Sequence, residues 1–405
     1  EEASRCLLCL DAPCSRDCPA GTDPGAFIRS IRFENFKGAA EIIRKNNILG
    51  GICGRVCPVE VLCEEACSRT GIDKPIEIGR LQRFATDYEK ATDYKVLEPV
   101  KATKERVAMI GAGPGSLAAA AELAKKGYSV TVFDDQETPG GVLSYGIVPS
   151  RLPQYVVDEE IEYIKELGVD FTPNTRVGKD VTIEELRGRG YKAFLIGAGM
   201  QAGKTLDIPG IDLDGVVRAV DYLADARTKK GNTDTGSNVV IIGGGDVAMD
   251  CASTARMLGG QSTILYRRTR EEMPATKEEV THCEHIGVRF YWTFTPEEIV
   301  GENGKICGIK GKGSRDGSYI YLEADKVVLA IGQEPEDLTD MVPGLRFSEH
   351  NNFIISENHD GRTNLPDVYT AGDIVGGARK TVVHAIEAGK IAAESIDDYL
   401  TKERS

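Results

Sequence analysis

Apolar and polar positions follow two alternating rhythms along this chain. Val107-Ala108-Met109-Ile110, Ser129-Val130-Thr131-Val132-Phe133, Val239-Val240-Ile241-Ile242 and Thr263-Ile264-Leu265-Tyr266 are short, nearly continuous apolar runs. Such runs predict strands buried on both faces, as in parallel sheets. The stretch 27–47 instead spaces Phe27, Ile28, Ile31, Ala39, Ile42 and Ile43 at helical intervals. An Ala-rich helix is predicted over 116–126 and a further one over 381–399. The polar segment 90–105, which carries Pro99, is the best domain boundary.

The first strand runs into Gly111-Ala112-Gly113-Pro114-Gly115, which opens the helix behind it. The first glycine allows a tight turn, and the second lets the backbone approach a pyrophosphate. The helix N-terminus then offers unpaired N–H groups and a positive dipole to the phosphates. Asp134 ends the next strand, 23 positions after Gly111, where an acid would bind ribose hydroxyls. The pattern repeats at Gly243-Gly244-Gly245-Asp246-Val247-Ala248, with alanine in the third glycine position. Here the following strand ends in Arg267-Arg268, which suits a 2′-phosphate and leans toward NADPH over NADH. Two further strand-to-glycine runs, 192–199 and 326–332, mark where the chain would leave the first fold and return from the second. Val368-Tyr369-Thr370-Ala371-Gly372-Asp373 then places a carboxylate after a strand, suited to a flavin ribityl chain, with a helix N-terminus beyond it. Two such folds in one chain point to one flavin and one nicotinamide nucleotide.

Composition alters this picture at one place. Hydrophobic residues at 41% and charged residues at 28% are ordinary for a globular chain of 405 residues. A net charge of −14 argues against a nucleic-acid face, and no charge-free stretch is long enough for a membrane span. Of 11 cysteines, however, eight lie in the first 67 residues: Cys6, Cys9, Cys14, Cys18, Cys53, Cys57, Cys63 and Cys67. Disulfides would need an oxidising compartment, and no secretion signal is visible; a cytoplasmic protein is expected. Structural zinc favours paired C-x2-C knuckles, and only Cys6 and Cys9 have that spacing. Short runs ending Cys18-Pro19 and Cys57-Pro58 fit iron–sulfur clusters, and eight cysteines match two cubanes. Cys251, Cys283 and Cys307 are isolated, which argues against a disulfide relay. The fold class is thus α/β: two nested Rossmann-like dinucleotide-binding domains, for FAD and NAD(P)H, preceded by an α-helical iron–sulfur domain. The expected boundaries are 1–98 for the clusters, 104–208 with 333–400 for FAD, and 209–332 for NAD(P)H.

Arg5-Cys6-Leu7-Leu8-Cys9, the segment 54–58 (Gly-Arg-Val-Cys-Pro), Gly140-Gly141, Arg151-Leu152-Pro153, the segment 243–250 and Ala371-Gly372-Asp373-Ile374 together resemble the flavin- and iron–sulfur-bearing electron-input subunits. That family includes glutamate synthase small subunits, ferredoxin–NADP transhydrogenase large subunits and dihydropyrimidine dehydrogenases. The bacterial dihydropyrimidine dehydrogenase branch is the nearest in Glu2-Ala3-Ser4-Arg5-Cys6, Thr22-Asp23-Pro24, Ile28-Arg29-Ser30 and the segment 78–84. The resemblance implies one 4Fe-4S cluster on Cys6, Cys9, Cys14 and Cys67, and a second on Cys18, Cys57, Cys63 and Gln82. Cys53 would then be a bystander, in conflict with the plain count of eight. It also implies that Gly141, Val142, Arg151, Val177, Gly372 and Thr381 join Gly111 to Gly115, Asp134 and Asp373 at FAD. Gly243, Gly244, Gly245, Asp246, Val247, Arg267, Arg268, Ala330, Ile331 and Gly332 would contact the nicotinamide nucleotide. Relatives in the nearest branch use NADH, so Arg267-Arg268 departs from them toward the NADPH-using branches.

The implied reaction is hydride transfer from NAD(P)H to FAD, then single electrons through two clusters to a partner. It needs no acid–base side chain, so no catalytic residue is expected. Cluster module, flavin fold and nucleotide fold use the whole length. Pyrimidine reduction would therefore require a second catalytic subunit, FMN- and iron–sulfur-containing, in a hetero-oligomer. The competing readings are the input subunit of a glutamate synthase or of a bifurcating transhydrogenase. From a different class, the chain could be a non-catalytic cluster scaffold, against which both intact nucleotide fingerprints argue.

Overall fold

The computed structural model describes residues 1–228, 235–349 and 351–404. It divides into two compact units: Glu1–Leu143, Ser150–Gly199 and Asp337–Ser405 form the first, and Ser144–Pro149 with Met200–Glu336 the second.

After two short turns, Glu2–Arg5 and Pro13–Arg16, the first unit continues with the helices Pro24–Arg32, Phe36–Asn46, Gly50–Val56 and Ile78–Ala91. The helical stretch expected over 27–47 is therefore two helices. Glu34 breaks it at φ 59°, and the Asn35 side chain caps the second helix by accepting from the Gly38 N–H at 2.9 Å. Periodicity missed the break because both helices bury their apolar stripes in one core of Phe27, Ile28, Ile31, Ala39 and Ile43 against Ile76, Ile78 and Ala85.

Beyond the linker lies a five-stranded parallel sheet in the order Val368–Thr370, Tyr191–Ile196, Arg106–Ile110, Ser129–Phe133, Asp170–Thr172. The second unit repeats it: Val216–Arg218, Lys326–Leu329, Asn238–Ile242, Gln261–Tyr266, Arg289–Trp292, again all parallel. An antiparallel sheet of Phe294–Glu302, Lys305–Gly313 and Tyr319–Glu323 is added to the second unit. The second fold is nested in the first, since the chain leaves the first unit after Gly199 and returns at Asp337. The first sheet's main helix runs Pro114–Lys125, starting two residues earlier than expected because Pro114 occupies its first turn. It packs closely on the C-terminal helix Val382–Arg404: a Cβ on Gly389 would stand 2.1 Å from the Gly115 carbonyl oxygen.

Arg44 ties the helical module to this fold. The guanidinium is buried, with Nε 2.6 Å from Glu89 Oε2 and Nη2 2.6 Å from Glu160 Oε1. Its third arm donates to the Ile48 carbonyl at 2.6 Å. Glu89 comes from the module, whereas Glu160 lies on the helix Gln154–Glu166 of the dinucleotide fold. Burial opposes the charge on Arg44, but the Glu160 and Glu89 carboxylates more than offset it and raise its pKa. Burial lifts Glu89 above the ordinary carboxylate range, and Arg44 pulls it back only in part. Lys390 adds a second tie, donating to the Ala20 and Asn46 carbonyls at 2.7 Å each. Among the described residues no helix is long and apolar enough to cross a membrane.

Arg44→Met is expected to cost about 3–5 kcal/mol near pH 8, because two buried carboxylates lose their counter-ion. The Glu89 carboxyl, already raised by burial, would lose the guanidinium that pulls it back and titrate higher still in the folded variant. Stability is kept while it is protonated and lost as the pH rises through that raised value. Urea unfolding should accordingly show a smaller loss at pH 5 than at pH 8; equal losses would show that charge is not the cause.

Candidate cofactor sites

The two glycine loops are built by the same device. Gly111 follows the strand Arg106–Ile110 at φ 93°, and a Cβ there would stand 2.7 Å from the Gly197 carbonyl oxygen. Gly243 follows Asn238–Ile242 at φ 145°, and its Cβ would stand 2.2 Å from the Ala330 carbonyl oxygen. In each sheet the carbonyl at the end of a neighbouring strand fills the space of the missing side chain. Gly113 and Gly245 cap the helices Pro114–Lys125 and Asp246–Met257, aiming their free N–H groups outward.

In the first loop, Gly140 N–H donates to the Ala112 carbonyl at 3.0 Å, and Gly141 approaches Gly113 so closely that a Cβ would stand 3.1 Å from its Cα. Asp134 accepts from the Ala112 N–H with one oxygen and from Gln136 N–H at 2.8 Å with the other. Burial raises its pKa and these two donors lower it. Val142 is exposed, Arg151 is half-buried, and Val177 lies in the core, so only the Val177 backbone is left to meet a ligand. Gly372, at φ 80°, begins the turn Gly372–Ile374 beside Gly115. The next residue, Asp373, is half-buried, and its buried Oδ1 has no hydrogen-bond partner. Burial raises the Asp373 pKa and Lys380 lowers it. Lys380 also braces the turn by donating to the carbonyls of Asp373 and Val375. Thr381 precedes the helix Val382–Arg404 and pairs its hydroxyl with His384 Nδ1 at 2.6 Å. An orphaned buried carboxylate oxygen beside a glycine loop and a helix N-terminus fits a polyhydroxylated, phosphorylated ligand such as FAD.

In the second loop, a Cβ on Gly244 would stand 2.4 Å from the Tyr266 ring. Asp246 is committed to the protein, accepting from the Thr276 N–H at 2.9 Å. Val247 packs on the core, as do Ala330 and Ile331, while Gly332 is exposed at φ 118°. Arg267 and Arg268 follow the strand Gln261–Tyr266, and both are exposed.

The cysteines fall into two groups. Burial, with Cys67 and Cys6 close by, pushes the Cys14 thiol up to about 11, which groups these three. Cys9 joins them through Ser68, 3.6 Å from its sulfur. The other group lines a cavity: Cys18, Cys53, Cys57, Cys63 and Gln82, with Val383 from the C-terminal helix. Burial, Cys18, Glu64 and Cys14 raise the Cys63 thiol, and the neighbouring Cys53 thiol, burial, and Cys63 and Cys18 raise that of Cys57. Gln82 donates its Nε2 to the Gly50 carbonyl at 2.8 Å, which turns the amide oxygen to the remaining side. Among the described residues no three of His, Cys, Asp and Glu are placed to share one ion, as zinc requires. A cluster's iron would supply the positive charge that thiolates crowded and buried in this way need.

Thr22, Asn47 and Val383 escaped sequence reasoning. Thr22 N–H donates to Cys18 Sγ at 3.5 Å, and Asn47 Nδ2 donates to the Thr22 hydroxyl at 3.3 Å. Nothing in their spacing marks them, since they reach the cavity from separate segments. Cys251 and Cys283 are buried thiols and Cys307 is exposed.

Residues 105–389 match the pyridine nucleotide-disulphide oxidoreductase family, and residues 1–94 match dihydropyrimidine dehydrogenase domain II, 4Fe-4S cluster. The NAD-dependent dihydropyrimidine dehydrogenase subunit PreT of Escherichia coli O157:H7 is 45% identical over 403 residues, covering 99% of this chain and 94% of the relative. The chain belongs to this family of iron–sulfur flavoprotein subunits. The glutamate synthase [NADPH] small chain of Azospirillum brasilense is 34% identical over 432 residues, 98% of this chain and 88% of the relative. Mycobacterium tuberculosis FprA in complex with NADPH shares the fold, with a TM-score of 0.62 at 22% identity over 74% of this chain and 86% of that one. The protein is an FAD-dependent NAD(P)H oxidoreductase with an iron–sulfur domain.

Alanine at either loop glycine would meet a carbonyl oxygen and a positive φ that costs a side chain about 1–2 kcal/mol. Gly111→Ala should release flavin while leaving nicotinamide nucleotide binding in place, and Gly243→Ala should do the reverse. Flavin content and nucleotide titration of the purified variants check the pair; joint loss in both would refute separate sites.

Proposed function

We propose that this chain is the electron-input subunit of a dihydropyrimidine dehydrogenase, oxidising NAD(P)H at FAD and feeding electrons through two 4Fe-4S clusters to a pyrimidine-reducing partner. One cluster is held by Cys18, Cys57, Cys63 and Gln82, and the other by Cys6, Cys9, Cys14 and Cys67. The observation that carries this reading is the wall shared by two sites. Val383 lines the cavity of Cys18, Cys57, Cys63 and Gln82, two residues after Thr381 at the proposed flavin site. One helical turn thus borders both, which suits direct electron transfer between flavin and inner cluster. The outer cysteines are flanked by exposed Leu7 and Leu10, a surface on which a partner can dock.

Bound FAD takes electrons in pairs from NAD(P)H and gives them up singly to clusters. The chain's own residues bind and orient. The glycine-loop N–H groups would hold phosphates, the unpartnered Asp373 Oδ1 would accept from a ribityl hydroxyl, and the positive end of the Val382–Arg404 helix would favour negative charge on a flavin bound there. Direct hydride transfer asks no side chain for a proton. The NADPH preference rests on Arg267 and Arg268, both exposed at the end of Gln261–Tyr266 and free to meet a 2′-phosphate. The same arginines favour, as a second reading, the input subunit of an NADPH-dependent glutamate synthase, and copurification with a pyrimidine reductase or an amidotransferase decides between the two.

Steady-state diaphorase kinetics should give a higher kcat/KM for NADPH than for NADH. Arg267→Ala should lower the NADPH value about 10–100-fold, the worth of a charged hydrogen bond, and change NADH little. An unchanged NADPH preference would remove the arginine argument. The 405-residue chain alone should reduce artificial dyes with NAD(P)H but not uracil; uracil turnover without a partner would overturn the input-subunit reading.

A further inference from the structure

Lys390 is a half-buried cation on the helix Val382–Arg404, two turns beyond Val383 and on the same face of it. Its Nζ donates to the Ala20 and Asn46 carbonyls at 2.7 Å each. Both carbonyls belong to segments that build the cavity of Cys18, Cys57, Cys63 and Gln82. Ala20 lies in the loop 18–22, where the Gly21 N–H donates to the Cys18 carbonyl at 2.9 Å and the Thr22 N–H to Cys18 Sγ at 3.5 Å. A Cβ on Gly21 would stand 3.9 Å from Lys390 Nζ. Asn46 precedes Asn47, which lines the cavity and donates to the Thr22 hydroxyl at 3.3 Å. Among the described residues Lys390 makes no ion pair. Glu122 and Glu394 act on it without pairing, and Glu122 is committed to Lys125 at 2.6 Å. Two carbonyl dipoles replace only part of the water that such a cation loses on burial. A thiolate-ligated cluster in the cavity would be the anion that this charge lacks.

We propose that Lys390 is the fixed counter-charge of the inner cluster and raises its reduction potential. Reduction adds one electron to a cluster that is already anionic, and a cation behind the Cys18 loop favours the added charge by Coulomb attraction. Gln82 as a ligand acts in the same sense, since an amide brings no charge where a fourth thiolate would bring one. Lys390 keeps its proton, so none is exchanged in the step. The effect falls on the cluster that borders the flavin-side helix, where a higher potential draws electrons off the flavin.

The inference rests on the assignment of Cys18, Cys57, Cys63 and Gln82 as ligands, and the test separates the two. The full chain and its Lys390→Met, Lys390→Gln and Lys390→Arg variants are titrated anaerobically, with EPR of the reduced clusters and iron content as readouts. In Lys390→Met one cluster should shift to lower potential, by about tenfold in its one-electron equilibrium (~59 mV), while the other stays. Lys390→Gln keeps an N–H donor without the charge and should be as shifted as the methionine variant. Lys390→Arg keeps the charge and should recover most of the parental potential. Iron content and EPR line shape should stay parental in all three, because no ligand is disturbed. Should the methionine variant fail to fold, the glutamine and arginine pair supplies the same comparison. Parental potentials in the uncharged variants, or an arginine variant as shifted as they are, would overturn the proposal. Equal shifts of both clusters, or a shift accompanied by an altered line shape, would overturn it too, by making Lys390 a structural tie alone. A parent chain with about four irons rather than about eight would instead fail the ligand assignment itself.

Discussion

Arg44 is a cation without water, held between Glu89 and Glu160 on two different helices. Its two 2.6 Å ion pairs set the helical module against the dinucleotide fold. Such a junction is costly to form and more costly to break, because any one partner removed leaves a buried charge unmatched. What it secures is position rather than surplus stability. Electron transfer between a flavin and a cluster depends on a fixed separation, and a charged clamp admits one geometry where an apolar contact would admit several. Lys390 reinforces the same junction by reaching from the C-terminal helix to carbonyls beside Cys18 and beside Asn47.

The C-terminal helix Val382–Arg404 is the common element of the first unit. It packs by Gly389 against the glycine-loop helix at Gly115, carries Thr381 at its start, and lends Val383 to the cysteine cavity. The proposed flavin site and the cavity of Cys18, Cys57, Cys63 and Gln82 thus share one helix. The second unit uses the same sheet and the same glycine-and-carbonyl contact, but finishes its strand Gln261–Tyr266 with two exposed arginines instead of an acid. One architecture, with a changed strand end, serves two nucleotides.

The cysteine cluster was legible as iron chemistry from crowding and the two Cys-Pro runs, and the structure separates its members into two neighbourhoods. Cys53, expected to be a bystander, lies in the wall of the same cavity as Cys57. Linear spacing could not show this. Residues 53 and 57 are neighbours on a helix whichever way that helix faces, and only its packing against Ile78–Ala91 turns Cys53 inward toward Gln82.

The chain's pattern by itself determined the local things: apolar runs for strands, glycines for the tight turns behind them, the repeat of one nucleotide motif inside another. These are properties of neighbouring residues, and short-range sterics and periodicity govern them. The break at Glu34 escaped because both flanking helices bury the same stripe. Arg44 escaped more completely, since an arginine on an amphipathic helix reads as solvated until two carboxylates from distant segments arrive to neutralise it. Tertiary structure alone decided which polar residues lost their water, which thiols share a cavity, and that Val383 joins them. Desolvation is a property of the assembled fold, and no stretch of sequence carries it.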